Sequence, residues 1–368
     1  MPSQKVLLRF DKKETQESLL QQVDFFASTP ACLSDWFIHS LTKPGDHICD
    51  VFSGRGTTAI SAFQQGRNVM ANDINPLSSI LIKGRITSTT EQEFNEVLGQ
   101  AIQTKADPMT EEEARVFGIY FSPQTLQQLW SIRTYLLSNT KDARKEEAQS
   151  CLRFLVTERL LGNGAHYLSV SVPGIGRMNQ PEQQAQRNRL RYPTGKPEKD
   201  VETILMNRFR HYQSAFMGSE SKVTCFSQEA SNLSGIPDQS IHLHFTVPPE
   251  LNTQSYAEEH WLRLWYHGIK REEWGPTMPS LSTPDEWQHT MTAVLREQNR
   301  TLHKDGRSVW VFADTQRISE TLWPRLLQSA KEIGWLDETE YACLIPMQKQ
   351  KGRLQGNISV RIIQFLKK

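Results

Sequence analysis

The stretch Cys49–Thr58 reads Cys-Asp-Val-Phe-Ser-Gly-Arg-Gly-Thr-Thr, and residues 71–76 continue with Ala-Asn-Asp-Ile-Asn-Pro. An apolar run, a glycine turn, a helical pattern and a second apolar run before an acid indicate a β-α-β unit. The predicted strand, helix and second strand cover 47–51, 57–65 and 68–71. Such a unit is the first half of a doubly wound α/β sheet, which binds its ligand at the carboxyl ends of its strands.

The glycines and the acid of this unit indicate what kind of ligand it binds. Gly54 and Gly56 let the backbone approach a ligand closely, because neither carries a Cβ atom. Asp73 follows the turn by about 20 residues, where an acid in such folds binds ribose hydroxyls. Position 59 is Ala59, so the third glycine of the dinucleotide pattern is missing. This departure disfavours NAD and favours a smaller nucleoside ligand.

The motif Asp-x-Phe-x-Gly-x-Gly-Thr-Thr, followed by Asp-Ile-Asn-Pro, resembles the S-adenosylmethionine site of the DNA amino-methyltransferases, which modify cytosine N4 or adenine N6. The resemblance implies S-adenosylmethionine as cofactor, with its methionine part at the glycine turn and its ribose on the acid. It also implies that an aromatic and proline-containing segment before the first strand closes over the methionine part, and that an acid after a later strand touches the adenine amino group. The residues assigned to the cofactor in this way are Phe26, Thr29, Pro30, Asp50, Phe52, Ser53, Gly54, Gly56, Thr57, Thr58, Asp73, Ile74, Asn75 and Glu229.

The composition indicates the charge, the state of the cysteines and the cellular location of the protein. The 368 residues carry 42 Lys and Arg against 41 Asp and Glu, a net charge of +1, so a nucleic-acid surface must be a local patch. The 5 cysteines form no Cys-x-x-Cys pair, which indicates buried reduced thiols rather than disulfides or a metal site. No apolar run has the length of a membrane span, and residues 1–5 show no signal-peptide core. We expect a cytoplasmic protein without a metal.

Later strands complete the predicted architecture. Apolar runs predict strands over 222–226, 241–245, 308–312 and 359–365, whereas the tract between the two strand-rich parts is mainly helical and polar. The expected fold class is α/β, a Rossmann-like methyltransferase sheet with an inserted, mainly helical lobe. The expected domains are the first half of the methyltransferase domain with the cofactor site, the DNA-contacting lobe, and the second half with the catalytic loop, over 1–85, 86–221 and 222–368.

Positive charge accumulates within the predicted lobe. A local excess of basic residues in an otherwise neutral chain suits contact with phosphates. A solvated helix face explains any single one of these residues equally well. We expect double-stranded DNA as partner, with Tyr256 as a candidate stacking residue and the basic contacts at Arg187, Arg189, Arg191 and Lys196.

The sequence Val247-Pro248-Pro249-Glu250 occupies the position of the family's catalytic loop, which usually reads Asp, Asn or Ser, then Pro-Pro, then an aromatic residue. In that family the first side chain and the first proline carbonyl accept hydrogen bonds from the target amino group. The aromatic residue stacks on a base flipped out of the duplex. Val247 has no acceptor and Glu250 has no aromatic face. The hydroxyl of Thr246 and the carboxylate of Glu250 could replace the missing acceptor only in a shifted loop.

Three functions are therefore open. The first is an S-adenosylmethionine-dependent DNA methyltransferase acting on cytosine N4 or adenine N6, as in restriction–modification systems. The second is a cofactor-binding, catalytically silent subunit that grips DNA for an active partner. The third is an enzyme of the same fold that modifies another nucleic-acid substrate.

Overall fold

The chain divides into two compact units. The computed structural model describes residues 4–11, 18–21, 29–138, 142–170, 181–215, 220–251, 254–270, 281–346 and 357–367. The sheet unit comprises Met1–Ile82, Ser219–Thr253 and Met278–Lys368, and the helical unit comprises Lys83–Gly218 and Gln254–Thr277.

An eight-stranded sheet forms the sheet unit within the described residues. Its order is β1-β7-β8-β6-β5-β2-β3-β4, in which all strands are parallel except β8, which runs antiparallel to both of its neighbours. The strands are β1 (Gln4–Arg9), β2 (His47–Asp50), β3 (Asn68–Asn72), β4 (Val223–Phe226), β5 (Ile241–Thr246), β6 (Leu302–Ala313), β7 (Trp335–Pro346) and β8 (Asn357–Lys367). The central strands β2 and β5 are mostly buried because a parallel sheet is covered on both faces. The expected Rossmann-like α/β class is confirmed.

Helices connect the parallel strands, as parallel pairing requires. The helices of the sheet unit bury one apolar face each, and their packing against β6 includes the fully buried indoles of Trp287 and Trp310. A π-helical turn, Ile318–Leu322, precedes the last of them. They are α1 (Ala31–Leu41), α2 (Thr57–Gln64), α3 (Leu77–Lys83, which ends at the unit boundary), α11 (Pro284–Thr301) and α12 (Trp323–Ile333).

The helical unit is built from capped amphipathic helices. Thr90 and Thr110 each begin a helix with a capping box, and Ser122 caps a helix whose first residue is Pro123. The helices of this unit are α4 (Glu91–Gln103), α5 (Glu111–Phe117), α6 (Pro123–Leu137), α7 (Ala143–Arg159), α8 (Pro181–Arg191), α9 (Val201–Gln213) and α10 (Gln254–Tyr266). The predicted boundaries near 85 and 221 lie close to those of this unit. Its second segment, Gln254–Thr277, lies within the range 222–368 that the sequence predicts for the second half of the methyltransferase domain.

A buried ionic cluster holds α7 to α9. The Glu158 side chain is 2% exposed, and its carboxylate accepts hydrogen bonds from the Arg208 Nε at 2.8 Å and the Tyr212 hydroxyl at 2.8 Å. Arg159 donates a further bond to it at 3.1 Å. Because a buried carboxylate is costly unless it is paired, these partners are needed for the fold of the helical unit.

Candidate functional site: the carboxyl edge of the sheet

The glycine turn after β2 has the backbone geometry that its sequence predicts. Gly54 and Gly56 have φ angles of +49° and +81°, in the left-handed region that favours glycine. The Gly56 N–H donates to the Ser53 carbonyl at 2.6 Å, and Gly56 is the residue from which α2 begins. The turn therefore bends directly into a helix N-terminus, which presents backbone N–H groups at the edge of the sheet.

Asp73 joins this turn to β3. Its Oδ2 accepts the Gly54 N–H at 2.7 Å, and its Oδ1 accepts the Asn75 N–H at 2.8 Å. A carboxylate has about four lone-pair positions, so each oxygen retains one acceptor site for a ligand hydroxyl. The residue expected to hold ribose is thus fixed by two backbone hydrogen bonds and keeps the capacity for that role.

Two buried carboxyl groups give the edge its electrostatic character. Burial raises the pKa of Asp50 to about 7, although bonds from Thr58 and Phe52 lower it, and the nearby charge of Asp73 raises it further. Burial likewise raises the pKa of Asp73 to about 6, against the lowering effect of the bonds from Asn75 and Gly54. A pair of desolvated acids favours a ligand that carries positive charge, because a cation stabilises their ionised forms.

Two buried amide groups extend the edge. The Nδ2 of Asn75 and the Nε2 of Gln228 are buried, and neither has a hydrogen-bond acceptor among the described residues. S-adenosylmethionine offers acceptors of the required kind in its carboxylate, ribose and adenine. With the glycine turn and Asp73, these donors fit that cofactor.

Asn72 and Gln228 are members of this edge that sequence reasoning missed. The Asn72 side chain, which is fully buried, donates to the carbonyls of Val51 at 3.2 Å and Gln228 at 3.0 Å. Its Oδ1 accepts the Gln228 N–H at 3.2 Å. A buried asparagine directly before Asp73 was the available signal, because such an amide must find partners.

The remaining predicted cofactor residues take different positions. The Ser53 hydroxyl donates to the Asp50 carbonyl at 2.9 Å, and the Thr57 hydroxyl accepts from the Arg55 Nε at 2.9 Å. Glu229 is exposed and accepts from the Ser231 hydroxyl at 3.2 Å. Phe26 lies outside the described residues. Thr29 and Pro30 are partly buried before α1, and the partly buried Phe52 and Ile74 flank the turn and the acid.

The Pro-Pro loop leaves the same edge. Cys49 of β2 pairs with His244 of β5, so the glycine turn and the loop start side by side. Pro248 is buried, whereas Glu250 is exposed. The carbonyl of Pro249 accepts the Trp287 Nε1–H at 2.8 Å. The strand order reverses between β2 and β5, which is where an open α/β sheet binds its ligand.

Thr246 is unable to replace the acceptor that Val247 lacks. The Thr246 side chain is fully buried, and its hydroxyl accepts the Gln298 Nε2–H at 2.7 Å. The Oε1 of Gln298 in turn accepts from Ser308 at 2.8 Å and from Trp310 at 3.1 Å. The hydroxyl belongs to a core network, so a shifted loop would have to break it.

The predicted DNA-contacting residues lie in the helical unit. Helix α8 turns two buried amides inward: the Gln184 Nε2 donates to the Asn188 Oδ1 at 2.9 Å, and the Asn188 Nδ2 donates to the Ile119 carbonyl at 2.8 Å. Its arginines are exposed, and Lys196 beyond the helix is partly buried. Tyr256 lies within α10, and its side chain is outside the described part. The exposed arginines are Arg187, Arg189 and Arg191.

Two further features concern the chain as described. No group of three or more His, Cys, Asp or Glu in the described ranges is arranged to hold a metal ion. None of the helices seen there is both long and apolar enough to cross a membrane.

Residues 7–83 match the family model of N6/N4 methyltransferases, described as DNA methylase. Similar solved structures include a TehB-like SAM-dependent methyltransferase from Corynebacterium glutamicum (10% identity, 91% of this chain and 87% of that chain, TM-score 0.34). Another is a precorrin-6y C5,15-methyltransferase from Geobacter metallireducens (10% identity, 97% of this chain and 96% of that chain, TM-score 0.34). A third is an rRNA methylase from Streptococcus thermophilus (9% identity, 93% of this chain and 99% of that chain, TM-score 0.30). At these identities and TM-scores, none of the three indicates the substrate of this chain.

The family match confirms the resemblance to the DNA amino-methyltransferases and, with it, S-adenosylmethionine as the cofactor. It covers β2, the glycine turn and Asp73, which form the cofactor half of the edge. Together with the Rossmann-like sheet, it supports methyltransferase activity.

Proposed function

We propose that this chain is an S-adenosylmethionine-dependent DNA methyltransferase that acts on an exocyclic amino group, cytosine N4 or adenine N6, of a flipped base. One observation carries the proposal. The glycine turn, in which the Gly54 N–H donates to Asp73, follows β2, and the Pro248-Pro249 loop follows the neighbouring strand β5. Both therefore lie at the same edge of the sheet. A methyl donor held at the first would therefore lie beside an amino group held at the second.

The loop retains one of the two acceptors that this chemistry uses. S-adenosylmethionine supplies a sulfonium methyl group, which the amino nitrogen takes as the carbon–sulfur bond breaks and the nitrogen loses a proton. The carbonyl of Pro248 is a backbone acceptor that no substitution removes, and no described residue donates to it. Such an acceptor orients the amino lone pair. The absence of a second one at Val247 costs about a hundredfold in rate.

The DNA partner is proposed from the helical unit. Exposed arginines on a helix whose buried face is fixed by amide hydrogen bonds suit contact with phosphates, because such a helix holds its charges in place. Substrate access by base flipping follows from the same proposal, since an amino group within a duplex is out of reach.

A second candidate is a cofactor-binding subunit without catalytic activity. The hydroxyl of Thr246 is committed to Gln298, Val247 has no acceptor, and Glu250 is exposed without an aromatic face. These features favour a partner chain as the source of activity. All three features belong to the Pro-Pro loop or the residue before it, and none of them changes the cofactor site.

The test is nucleoside mass spectrometry on DNA and RNA from a methylation-deficient host that expresses the chain. We expect N4-methylcytosine or N6-methyladenine in DNA with the wild type, and neither with Asp73→Ala. The matched control is Glu332→Gln, which replaces an exposed acid on α12 of the same unit. If the methylated nucleoside appears in RNA and not in DNA, the substrate is RNA rather than DNA.

A loop variant separates the two candidates. If the purified wild type binds S-adenosylmethionine but methylates nothing, the combined Val247→Ser and Glu250→Tyr replacement restores the missing acceptor and aromatic face. Methylation by this variant would identify a silent loop on a complete site. Its failure, together with activity on adding a partner chain, would support the subunit.

A further inference from the structure

A short loop that follows α7 in the helical unit, residues 162–169, is closed on itself at its base. The Ser169 hydroxyl accepts the Gly162 N–H at 3.0 Å and donates to the Gly162 carbonyl at 3.0 Å. Ser169 and Leu168 are fully buried, and the Leu168 N–H donates to the Arg159 carbonyl at 2.9 Å. The base of this 162–169 loop is therefore anchored in the core of the unit.

The tip of the 162–169 loop displays polar side chains at the surface. Asn163 and His166 are both exposed. The His166 ring lies 4.6 Å from the Tyr167 ring, measured between centroids, and the Arg159 guanidinium lies 5.0 Å from the Tyr167 ring centroid. The same ring packs on Gly162 and leaves no room for a Cβ atom there. An amide and an imidazole are thus presented on a backbone that its neighbours hold in place.

Two lysines beside this loop have no carboxylate partner. Lys196 and Lys199 are partly buried, and the Lys199 Nζ donates to the Gly164 carbonyl at 3.2 Å. Burial lowers the pKa of both ammonium groups, and neither forms an ion pair with a described residue. A partly desolvated cation without a counter-charge is unfavourable, so this pair favours an anionic ligand.

The acids on either side of Lys199 in the sequence are bound elsewhere. The Asp200 carboxylate accepts the Thr203 N–H at 2.9 Å and caps α9. The Glu198 carboxylate accepts the side-chain amide of Gln124 at 2.7 Å. Because these acids have partners of their own, the lysine ammonium groups are left for phosphates from outside the chain.

The end of the loop adjoins the end of α8. The Tyr192 hydroxyl lies 3.5 Å from the Val170 carbonyl, and the Tyr192 N–H donates to the Asn188 carbonyl at 2.9 Å. Helix α8 carries one acid, Glu182, against three exposed arginines, so this part of the unit has an excess of positive charge. The arginines are Arg187, Arg189 and Arg191.

We propose that the 162–169 loop reads DNA bases through the side chains of Asn163 and His166, and that Lys196 and Lys199 anchor the phosphates beside it. Phosphate contacts carry no sequence information, so selection of a sequence needs donors and acceptors at the base edges. The amide of asparagine matches the N6 and N7 edge of adenine, and a neutral imidazole offers one donor and one acceptor. The inference rests on the proposed DNA substrate and adds the residues that select its sequence.

The experiment measures DNA binding and needs no methyl transfer, so an inactive chain is tested equally well. The purified full chain selects its preferred sequence from a random-sequence duplex library. Fluorescence anisotropy then gives its affinity for that duplex and for every single-base-pair variant of it, at several salt concentrations. Replacements at the loop tip are compared with replacements of the two anchors. The variants are Asn163→Ala, His166→Ala, Lys196→Gln and Lys199→Gln.

Matched controls come from the same unit. Asn95→Ala on α4 and Lys105→Gln each replace an exposed residue of the same type. Both should keep the affinity, the salt dependence and the selected sequence of the wild type.

The two kinds of variant should differ in what they lose. We expect the wild type to discriminate against a wrong base pair by roughly 5- to 150-fold. Asn163→Ala and His166→Ala should each reduce this to within about twofold at the base pair that the residue reads, and keep the discrimination elsewhere. Lys196→Gln and Lys199→Gln should weaken all sequences by the same factor and reduce the salt slope by about 0.9 per lost contact.

Three results would overturn the inference and leave the DNA substrate standing. One is an unchanged base preference in both tip variants. Another is a tip variant that loses affinity equally for all sequences, as a structural role predicts. The third is a pair of lysine variants with the affinity and salt dependence of the wild type. A wild type that binds no duplex DNA is a different result: it would contradict the proposed DNA substrate, and the inference would fall with it.

Discussion

The affinity for S-adenosylmethionine should depend on pH through the two buried acids, and Asp50→Asn should remove most of that dependence. Burial raises the pKa of Asp50 to about 7 and that of Asp73 to about 6. The cofactor carries a sulfonium charge that favours both ionised carboxylates. Binding therefore releases protons, and affinity rises with pH through this range.

The magnitude follows from the fraction of each acid that is ionised. If the cofactor binds only ionised Asp50, the apparent Kd grows by a factor of one plus ten to the power of pKa minus pH. With the Asp50 pKa at about 7 this factor is about 30 at pH 5.5 and about 1.1 at pH 8, a difference of about 2 kcal/mol. Asp73, with a pKa of about 6, contributes a further factor of about 4 at pH 5.5.

Titration calorimetry between pH 5.5 and 8, in buffers of different ionisation enthalpy, measures both the affinity and the protons released. Asp50→Asn should reduce the change in affinity to the few-fold share of Asp73. S-adenosylhomocysteine, whose sulfur is neutral, should show a shallower profile than S-adenosylmethionine. Equal slopes for the two ligands, or an unchanged slope in Asp50→Asn, would refute the electrostatic argument.

The same shift predicts the stability of the ligand-free chain. A carboxyl group whose pKa is raised by folding stabilises the native state at pH below about 4, and that contribution is lost as pH rises through about 7 for Asp50. Asp50→Asn should therefore be more stable than the wild type at pH 8, by on the order of a few kcal/mol. Denaturant unfolding at pH 5 and 8 measures this, and a less stable variant at pH 8 contradicts it.

Three further changes test other parts of the molecule. Trp287→Phe removes the N–H bonded to the Pro249 carbonyl; it should cost about 1–3 kcal/mol in unfolding free energy and slow methylation more than it weakens cofactor binding. Arg208→Met leaves the carboxylate of Glu158 one partner short and should destabilise the chain by about 3 kcal/mol in denaturant unfolding, whereas a loss below 1 kcal/mol would show that the remaining partners suffice. Replacing the exposed α8 arginines by Gln should weaken DNA binding and flatten its salt dependence by about 0.9 per lost phosphate contact, while Arg144→Gln, also exposed in the helical unit, should change neither. The replaced positions are Arg187, Arg189 and Arg191.

The β2-α2-β3 half of the fold could be predicted because its signals are local. Apolar runs, two glycines and an acid within about 25 residues determine the strand, the turn and the binding edge. β1 (Gln4–Arg9) and β7 (Trp335–Pro346) were not predicted, for different reasons. The first is a short edge strand with only three apolar residues in a row, and the first half of the second carries three acidic residues ahead of its apolar end.

The candidate site was predictable to the same extent. Gly54 and Asp73 lie 19 positions apart, and the Gly54 N–H donates to the Asp73 carboxylate at the predicted edge of the sheet. The pairing of Asn72 with Gln228 spans 156 positions, and that of Thr246 with Gln298 spans 52. Spacing along the chain gives no information on such contacts. The sequence therefore left Thr246 available as an acceptor, whereas packing of the core removes it.

The way the Pro-Pro loop is held bears on whether it acts. Trp287 is fully buried, and its indole N–H, the only polar group of the side chain, donates to the Pro249 carbonyl. That bond fixes the second proline, whereas no described residue donates to the carbonyl of Pro248, one residue earlier. A subunit that only held cofactor and DNA would gain nothing from fixing this loop. Organised packing of the Pro-Pro loop thus favours a working loop that is slowed at Val247. For this reason Trp287→Phe should lower methylation in an active chain, and should leave the affinity of a silent one for both cofactor and DNA unchanged.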